Sequence, residues 1–145
     1  MPTVKIDGTE VGVPENSTIL DAARKAGIWI PTLCHSPAVS EQATCRLCLV
    51  ELHGKGGTQM VTACNYPVRR DITVSAASEK AVRVRRGVMQ LLLARCPESL
   101  ELKELAARMG VEGTPYPKVT ESQRNCMLCG LCIAACEEAI GASAI

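Results

Sequence analysis

The sequence predicts an α+β protein with two domains, residues 1–76 and residues 77–145. Short segments that alternate like strands dominate up to residue 75, segments with helical periodicity follow them, and cysteines are concentrated in two groups. Hydrophobic residues make up 47% of the 145 residues and charged residues 21%, which is typical of a folded globular chain. Aromatic residues make up only 2%, so we expect a core of Val, Ile, Leu and Ala.

The first domain is predicted to have the element order β-β-α-β-β-β. Asp7 and Gly8 form a two-residue turn signal between the first two strands. A capping-box pattern at Thr18 and Asp21 starts the helix, and Gly27 ends it. Residues 31–46 are rich in Pro, Ser, Thr and Ala and are predicted to be an irregular loop. The predicted strands cover residues 3–6, 9–13, 47–52, 59–62 and 72–74.

The second domain is predicted to contain two helices before a cysteine-rich end. The first helix runs from Ser78 to about Arg95, and the second follows Pro97 and stops near Gly110. Residues 111–124 are predicted to be a connector. The apolar face predicted for the first helix consists of Ala81, Val84, Val88, Leu91 and Leu92. The stripe predicted for the second consists of Leu102, Leu105, Ala106 and Met109.

Composition narrows the classes of function. The formal net charge of +1 gives no overall attraction to nucleic acid. The sequence contains no run of 18 apolar residues, so we expect no insertion into a membrane. The N-terminal segment lacks the apolar stretch of a signal peptide, so we expect a cytoplasmic protein. An odd number of cysteines, nine, favours metal or redox chemistry over a framework of disulfides in a reducing compartment.

The first cysteine group lies inside the predicted sheet-and-helix domain. Its members are separated by ten, two and fifteen residues: Cys34, Cys45, Cys48 and Cys64. A [2Fe–2S] cluster needs four thiolates, and a Cys-x2-Cys loop supplies a close pair of them. A structural zinc site would use the same four thiolates, but zinc ribbons usually pair two Cys-x2-Cys knuckles. The spacing therefore favours iron and leaves zinc as the alternative.

Around these cysteines the sequence resembles the β-grasp [2Fe–2S] domain of complex-I-type subunits. Similar domains occur in NAD-reducing hydrogenases, [FeFe] hydrogenases and formate dehydrogenases. The resemblance covers about residues 1–75 and lies in residues 30–35 (IPTLCH), 45–51 (CRLCLVE) and 62–64 (TAC). It implies a β-grasp ferredoxin domain in which Cys34, Cys45, Cys48 and Cys64 hold one [2Fe–2S] cluster.

The second cysteine group has the run that holds a [4Fe–4S] cluster in bacterial ferredoxins, Cys-x2-Cys-x2-Cys-x3-Cys. Its members are Cys126, Cys129, Cys132 and Cys136. Glu137 stands where the usual pattern has proline, and in two-cluster ferredoxins the fourth cysteine of a run binds the other cluster. The fourth ligand is therefore open between Cys136, Cys96 and a cysteine of a partner chain.

Relatives of the complex-I type usually carry a further cluster, bound by one histidine and three cysteines, after the long helix. Only Cys96 is present in that part of this chain, so we expect the middle cluster to be absent. The sequence shows no glycine-rich phosphate loop and no nucleophile triad, so we expect no catalytic residues.

We therefore expect a non-catalytic electron-transfer subunit of a multisubunit oxidoreductase. The resemblance implies a complex that acts on NAD(P)H, formate, hydrogen or a heterodisulfide, with flavin or further iron–sulfur subunits as partners. A free ferredoxin shuttle and a zinc-stapled adaptor are the alternatives. The arginines at 83, 85 and 86 form either a docking surface for an acidic partner or a solvated helix face.

Overall fold

The structure is a computed structural model that describes residues 1–120 and 125–145. It divides into two compact units, which we call the sheet unit (residues 1–32 and 46–85) and the helical unit (residues 33–45 and 86–145). Residues 121–124, the last four of the predicted connector, lie outside the described residues. Residues 111–120 contain no helix or strand.

The sheet unit contains one five-stranded mixed sheet with the strand order β2-β1-β5-β3-β4. β1 pairs in parallel with β5, and the other neighbouring strands are antiparallel. The sheet, with helix α1 (Ile19–Lys25) between β2 and β3, confirms the predicted α+β class and the order β-β-α-β-β-β. The strands are β1 Thr3–Ile6, β2 Thr9–Gly12, β3 Leu49–Gly54, β4 Gly57–Thr62 and β5 Ile72–Ser75.

The turn between β1 and β2 forms as its two residues predict. Asp7 has φ 47° and Gly8 has φ 90°, the left-handed conformations that the tightest hairpin turns require. The Asp7 carboxylate accepts a hydrogen bond from the Ala76 backbone N–H at 2.9 Å, which ties this turn to the end of β5.

Helix α1 begins at the predicted capping box. The Thr18 hydroxyl accepts from the Asp21 backbone N–H, and the Asp21 carboxylate accepts from the Thr18 backbone N–H. Gly27, with φ 71°, follows the C-cap residue Ala26. The apolar side of α1 lies in the core of the sheet unit, whose fully buried side chains include Ile19, Leu20, Val4, Ile6, Val50 and Val74.

Strand β3 begins two residues later than predicted. Arg46 has φ 59°, which an extended strand does not allow, and Leu47 and Cys48 remain in the loop that precedes Leu49. Apolar character alone cannot separate a buried loop residue from a strand residue. The shift places Cys48 directly before the first residue of β3.

Helix α2 (Glu79–Arg95) forms, with the Ser78 hydroxyl accepting from the Ala81 backbone N–H, but the predicted buried face is wrong at Leu91, while Ala81 is buried as predicted. Leu91 is 55% exposed, whereas residues at a spacing of four are buried: Ala81, Arg85, Met89 and Leu93. Val82 is also exposed, but nine residues at about 100° each place it on the opposite side of α2 from Leu91. These two side chains therefore form no continuous apolar patch.

The same helix corrects the interpretation of the three arginines. The Arg83 side chain is 73% exposed and lies 3.9 Å from Glu79, while Arg85 is only 7% exposed. The Arg85 Nε–H donates to the Leu49 carbonyl oxygen at 2.7 Å, so its stem packs inside and its head is bound to backbone. Arg85 is therefore not part of a solvent-facing arginine cluster.

The rest of the helical unit consists of three short elements. Helix α3 (Leu100–Arg108) begins at the Ser99 hydroxyl, which accepts from the Leu102 backbone N–H, and its predicted apolar residues Leu102 and Ala106 are buried. Helix α4 (Leu131–Ala134) continues into a π-helix (Ala135–Ile140). Among the described residues, no helix has the length and apolar character needed to cross a membrane.

Candidate functional site

Two of the predicted ligands lie at one end of the β3–β4 hairpin in the sheet unit. Antiparallel pairing places Leu49 opposite Thr62, so Cys48, which directly precedes β3, and Cys64, which lies two residues after β4, are at the same end of the hairpin. The Ala63 backbone N–H donates to the Cys48 carbonyl oxygen at 3.1 Å and holds the two segments together. Cys48 is 2% exposed and Cys64 is 1% exposed. The hairpin therefore presents two thiols in an environment that water scarcely reaches.

The other two members of the first group lie together in the loop of the helical unit. The Cys45 backbone N–H donates to Cys34 Sγ at 3.4 Å, and Cys34 is buried. Hydrogen bonds from the Cys45 side chain, and then from the backbone of Cys45 and from Thr44, lower the pKa of the Cys34 thiol to about 5, although burial opposes them. Cys34 is therefore a thiolate near neutral pH, and the thiolate is the form that binds iron.

The backbone on both sides of Cys45 adopts conformations that are uncommon for residues other than glycine. Ala43 has φ 50° and Arg46 has φ 59°. Such conformations turn successive N–H groups toward one side of the chain, which favours a nearby anion such as a thiolate sulfur. Strained residues of this kind are concentrated at functional sites.

The second cysteine group follows an irregular turn into α4. Leu128 (φ 56°) and Gly130 (φ 79°) are both in the left-handed region. Cys126 and Cys132 are exposed, and Cys129 is half-buried. Cys136 is buried in the π-helix, where its sulfur accepts the Ala144 backbone N–H at 3.3 Å. Three thiols of this run are therefore accessible, and the fourth is held inside the helical unit.

Cys96, at the end of α2, is a neighbour of this run. It is fully buried, and burial raises the pKa of its thiol; the approach of Cys126 raises the pKa further, while Arg95 lowers it. The Arg95 Nε–H donates to the Cys126 carbonyl oxygen at 3.4 Å. The structure thus brings Cys96 toward the first cysteine of the run.

The loop that carries Cys34 and Cys45 is bonded to the second cysteine run within the helical unit. The Thr44 hydroxyl donates to the Cys129 carbonyl oxygen at 3.0 Å. The Ser40 hydroxyl and the Ser40 backbone N–H, the latter at 2.7 Å, both donate to the Glu138 carboxylate, and these two bonds lower the pKa of Glu138. The Gln42 amide oxygen lies 3.2 Å from the point where a Cβ on Gly130 would stand, so glycine permits this close approach.

Within residues 1–120 and 125–145, no three or more His, Cys, Asp and Glu side chains are grouped so that they could hold a single metal ion. The structure does bring together the segments of Cys48 and Cys64, Cys34 with Cys45, and the Arg95 side chain, next to Cys96, with the Cys126 carbonyl oxygen.

Sequence reasoning missed two features of these sites. The first is the bond from Thr44 to Cys129, which joins residues 85 positions apart and leaves no local signal. The second is the burial of Arg85 beside the residue that follows Cys48. A weak signal for Arg85 did exist, since it stands four residues after Ala81 and four before Met89.

Comparison with known proteins agrees with the chemistry of these cysteines. The model of the 2Fe–2S iron–sulfur cluster binding domain family matches residues 1–79. The alpha subunit of an NADPH-Fe(3+) oxidoreductase from Geobacter sulfurreducens is 34% identical over 167 aligned positions, which cover 100% of this chain and 20% of that protein. The NADP-reducing hydrogenase subunit HndD of Solidesulfovibrio fructosivorans is 33% identical and covers 94% of this chain and 28% of its own length.

Two further proteins of lower identity also match nearly the whole of this chain. The mitochondrial NADH-ubiquinone oxidoreductase 78 kDa subunit of Candida albicans is 26% identical, with 96% of this chain and 22% of that subunit covered. A chain in the crystal structure of a NAD+-reducing [NiFe]-hydrogenase in the H2-reduced state superposes with a TM-score of 0.82 at 28% identity. That match covers 99% of this chain and 68% of the other.

This chain spans 20% to 28% of the length of these curated relatives, all of which are named as oxidoreductases, hydrogenases or subunits of them. The family match covers more than half of the 145 residues and includes the motifs of residues 30–64. The chain therefore belongs to the family of 2Fe–2S iron–sulfur cluster binding domains and is an iron–sulfur electron-transport module of the ferredoxin type, as those motifs predicted.

Proposed function

We propose that this chain is a two-cluster relay that passes single electrons between partner subunits of an oxidoreductase. Each iron–sulfur cluster supplies one-electron chemistry when it is bound, and the chain supplies the thiolates that hold it. The proposed ligands of a [2Fe–2S] cluster are Cys34, Cys45, Cys48 and Cys64. The proposed ligands of a [4Fe–4S] cluster are Cys126, Cys129 and Cys132, with Cys136 or Cys96 as the fourth.

The residues of the first group fit a thiolate-bound cluster. The hydrogen bonds that the Cys34 sulfur receives, first from Cys45, lower the pKa of its thiol to about 5, which favours the thiolate form that binds iron. Cys48 and Cys64 are buried, which limits access of water to any cluster bound there. The family match over residues 1–79 supports iron and sulfide rather than zinc as the occupant.

The residues of the second group fit a cluster that takes three thiolates from one short segment. Cys126, Cys129 and Cys132 have the spacing of a ferredoxin run, and Gly130 relieves crowding between them. Two thiols are candidates for the fourth position. Cys96 lies toward Cys126, and Cys136 holds a sulfur that already accepts a backbone N–H.

One observation supports transfer between the two groups more than any other: the Thr44 hydroxyl donates to the carbonyl oxygen of Cys129. Thr44 directly precedes Cys45, so a residue next to a proposed ligand of the first cluster is bonded to a proposed ligand of the second. Such a bond holds the two ligand segments close together, and electron tunnelling between clusters requires a short separation. The Ser40–Glu138 bonds reinforce the same contact.

The relatives indicate what such a relay serves. Their names describe NADPH-dependent, NADP-reducing and NADH-linked oxidoreductase subunits, and this chain matches only a part of each. We infer that electrons enter and leave through flavin or further iron–sulfur subunits, and that the substrate reaction takes place outside this chain. NAD(P)H and hydrogen are the substrates these names favour among those the sequence suggested.

Power saturation of the electron paramagnetic resonance (EPR) signals tests the relay. When both clusters are reduced, the [2Fe–2S] signal of the wild-type chain should need more microwave power to saturate than it does in a chain that lacks the second cluster. The reason is that the nearby [4Fe–4S] spin speeds its relaxation. Cys132→Ser is the control, since it removes a proposed ligand of the second cluster and should restore easy saturation. If the wild-type chain contains both clusters and its saturation curve is identical to that of Cys132→Ser, a relay between the two clusters is ruled out.

A further inference from the structure

Arg85 is a buried cation to which the proposed relay assigns no role. It is 7% exposed, and its Nε–H donates to the Leu49 carbonyl oxygen at 2.7 Å. Among the described residues its Nη2 atom, also buried, has no hydrogen-bond partner. A buried N–H group without an acceptor is costly, so such a group usually has a partner under working conditions.

The surroundings of Arg85 point to that partner. Leu49 directly follows Cys48, and Cys48 is the negative group that most favours the charged form of Arg85. Burial opposes this and lowers the pKa of Arg85, while Asp7 adds a smaller favourable contribution. The Asp7 carboxylate already accepts, through Oδ1, from the Ala76 and Ala77 backbone N–H groups, so the acidic group that acts most strongly on Arg85 is Cys48.

We propose that Arg85 is a redox-tuning residue that stabilises the reduced [2Fe–2S] cluster by placing a fixed, buried positive charge beside Cys48. This inference rests on the proposed function, because it requires the cluster at Cys34, Cys45, Cys48 and Cys64. Arginine keeps its proton in proteins, so its charge does not change with pH over the useful range.

The electron and charge balance gives the sign of the effect. Reduction by one electron, supplied by dithionite in the test or by a partner's reduced centre in the assembly, adds one negative charge to the cluster and takes no proton from the chain. A nearby positive charge stabilises the more negative state, and burial keeps solvent from screening it. Charge and hydrogen bonds to sulfur are recognised determinants of cluster potentials. Removal of the Arg85 charge should therefore make the potential more negative.

Arg83 supplies a matched control on the same helix. It carries the same charge two residues earlier, but its side chain is 73% exposed. Arg83→Met changes the net charge by the same amount as Arg85→Met in a place where water screens the charge.

The test is a redox titration of the full chain with loaded clusters, monitored by the EPR signal of the reduced [2Fe–2S] cluster. At the wild-type midpoint, Arg85→Met and Arg85→Gln should lower the ratio of reduced to oxidised cluster about tenfold, which is 59 mV for one electron. Arg83→Met should leave the ratio within about twofold, and Arg85→Lys, which keeps the charge, should restore most of it. The inference would be overturned if Arg85→Met or Arg85→Gln binds the cluster and has the same midpoint potential as Arg83→Met.

The remaining outcomes are also decisive. If both neutral variants lose the cluster while Arg85→Lys keeps it at a potential near that of the wild-type chain, the charge is needed at the cluster and the inference stands. If Arg85→Lys loses the cluster as well and circular dichroism shows a disrupted sheet, Arg85 is a structural residue and the inference fails. Absence of a [2Fe–2S] signal from the wild-type chain would instead refute the proposed function on which the inference rests.

Discussion

The two cysteine groups differ in how much of their environment the polypeptide builds by itself. In the first group, Cys34, Cys48 and Cys64 are buried. In the second group, Cys126 and Cys132 are exposed. The first group is attached to a paired hairpin and to a loop with internal hydrogen bonds to sulfur. The second lies on a turn with two left-handed residues, on a four-residue helix and on the π-helix that follows it.

This difference indicates in which part of the chain folding is coupled to metal binding. A β-hairpin inside a five-stranded sheet is stabilised by its neighbours whether or not iron is present. A four-residue helix that continues into a six-residue π-helix has little stability of its own, because helix formation is cooperative and short helices are marginal. We therefore expect the second group to depend on its cluster far more than the first.

Removal of iron is the strongest test of this comparison. In the chelated chain, protease cleavage within residues 125–145 should become about tenfold faster or more, because opening of that segment is no longer opposed by the cluster. Cleavage within the sheet unit should change much less. Limited proteolysis followed by mass spectrometry of the fragments measures both rates in one sample. Equal protection of residues 125–145 in the chelated and loaded chains would contradict the comparison.

Substitution of the two candidate fourth ligands sharpens the account of the second group. Of Cys96→Ala and Cys136→Ala, the variant that removes the ligand should lose the low-temperature [4Fe–4S] signal and about four irons per chain, while the other keeps both. The [2Fe–2S] signal serves as the internal control and should persist in both variants. Full retention of the [4Fe–4S] cluster in both variants would show that neither thiol is needed and direct attention to a partner's cysteine.

The smallest expected effect is at the contact between the two groups. Thr44→Val removes the hydroxyl that donates to the Cys129 carbonyl oxygen and should lower the free energy of unfolding of the helical unit by about 1 kcal/mol. Thr44→Ser keeps the hydroxyl and should lower it less. Thermal unfolding of the two loaded variants, followed by cluster absorbance, measures the difference. Equal midpoints would show that the bond contributes nothing to holding the segments together.

Much of the sheet unit could be predicted because its signals are local. The Asp7-Gly8 turn, the Thr18 capping box and the Gly27 stop each depend on a few adjacent residues, and all three form. The cysteine spacings likewise identified the family, since the ligands of a cluster come in short motifs.

What could not be predicted depends on contacts that are distant in sequence. Periodicity treats an arginine as solvent-facing, so it missed that Arg85 is buried with its head bound to the Leu49 carbonyl. It assigned Leu91 to the buried face because it excluded Arg85 from the series at a spacing of four that is in fact buried. The Thr44–Cys129 bond belongs to the same class, since neither residue carries a sign of the other.

The presence of both clusters can be tested by low-temperature EPR of the anaerobically prepared, dithionite-reduced chain, with iron quantified on the same sample. We predict about six irons per chain and two EPR signals. One signal should persist to higher temperature, and the other should be visible only near the temperature of liquid helium. These signals would correspond to the [2Fe–2S] and [4Fe–4S] clusters. A colourless preparation that contains zinc and no iron would contradict the account.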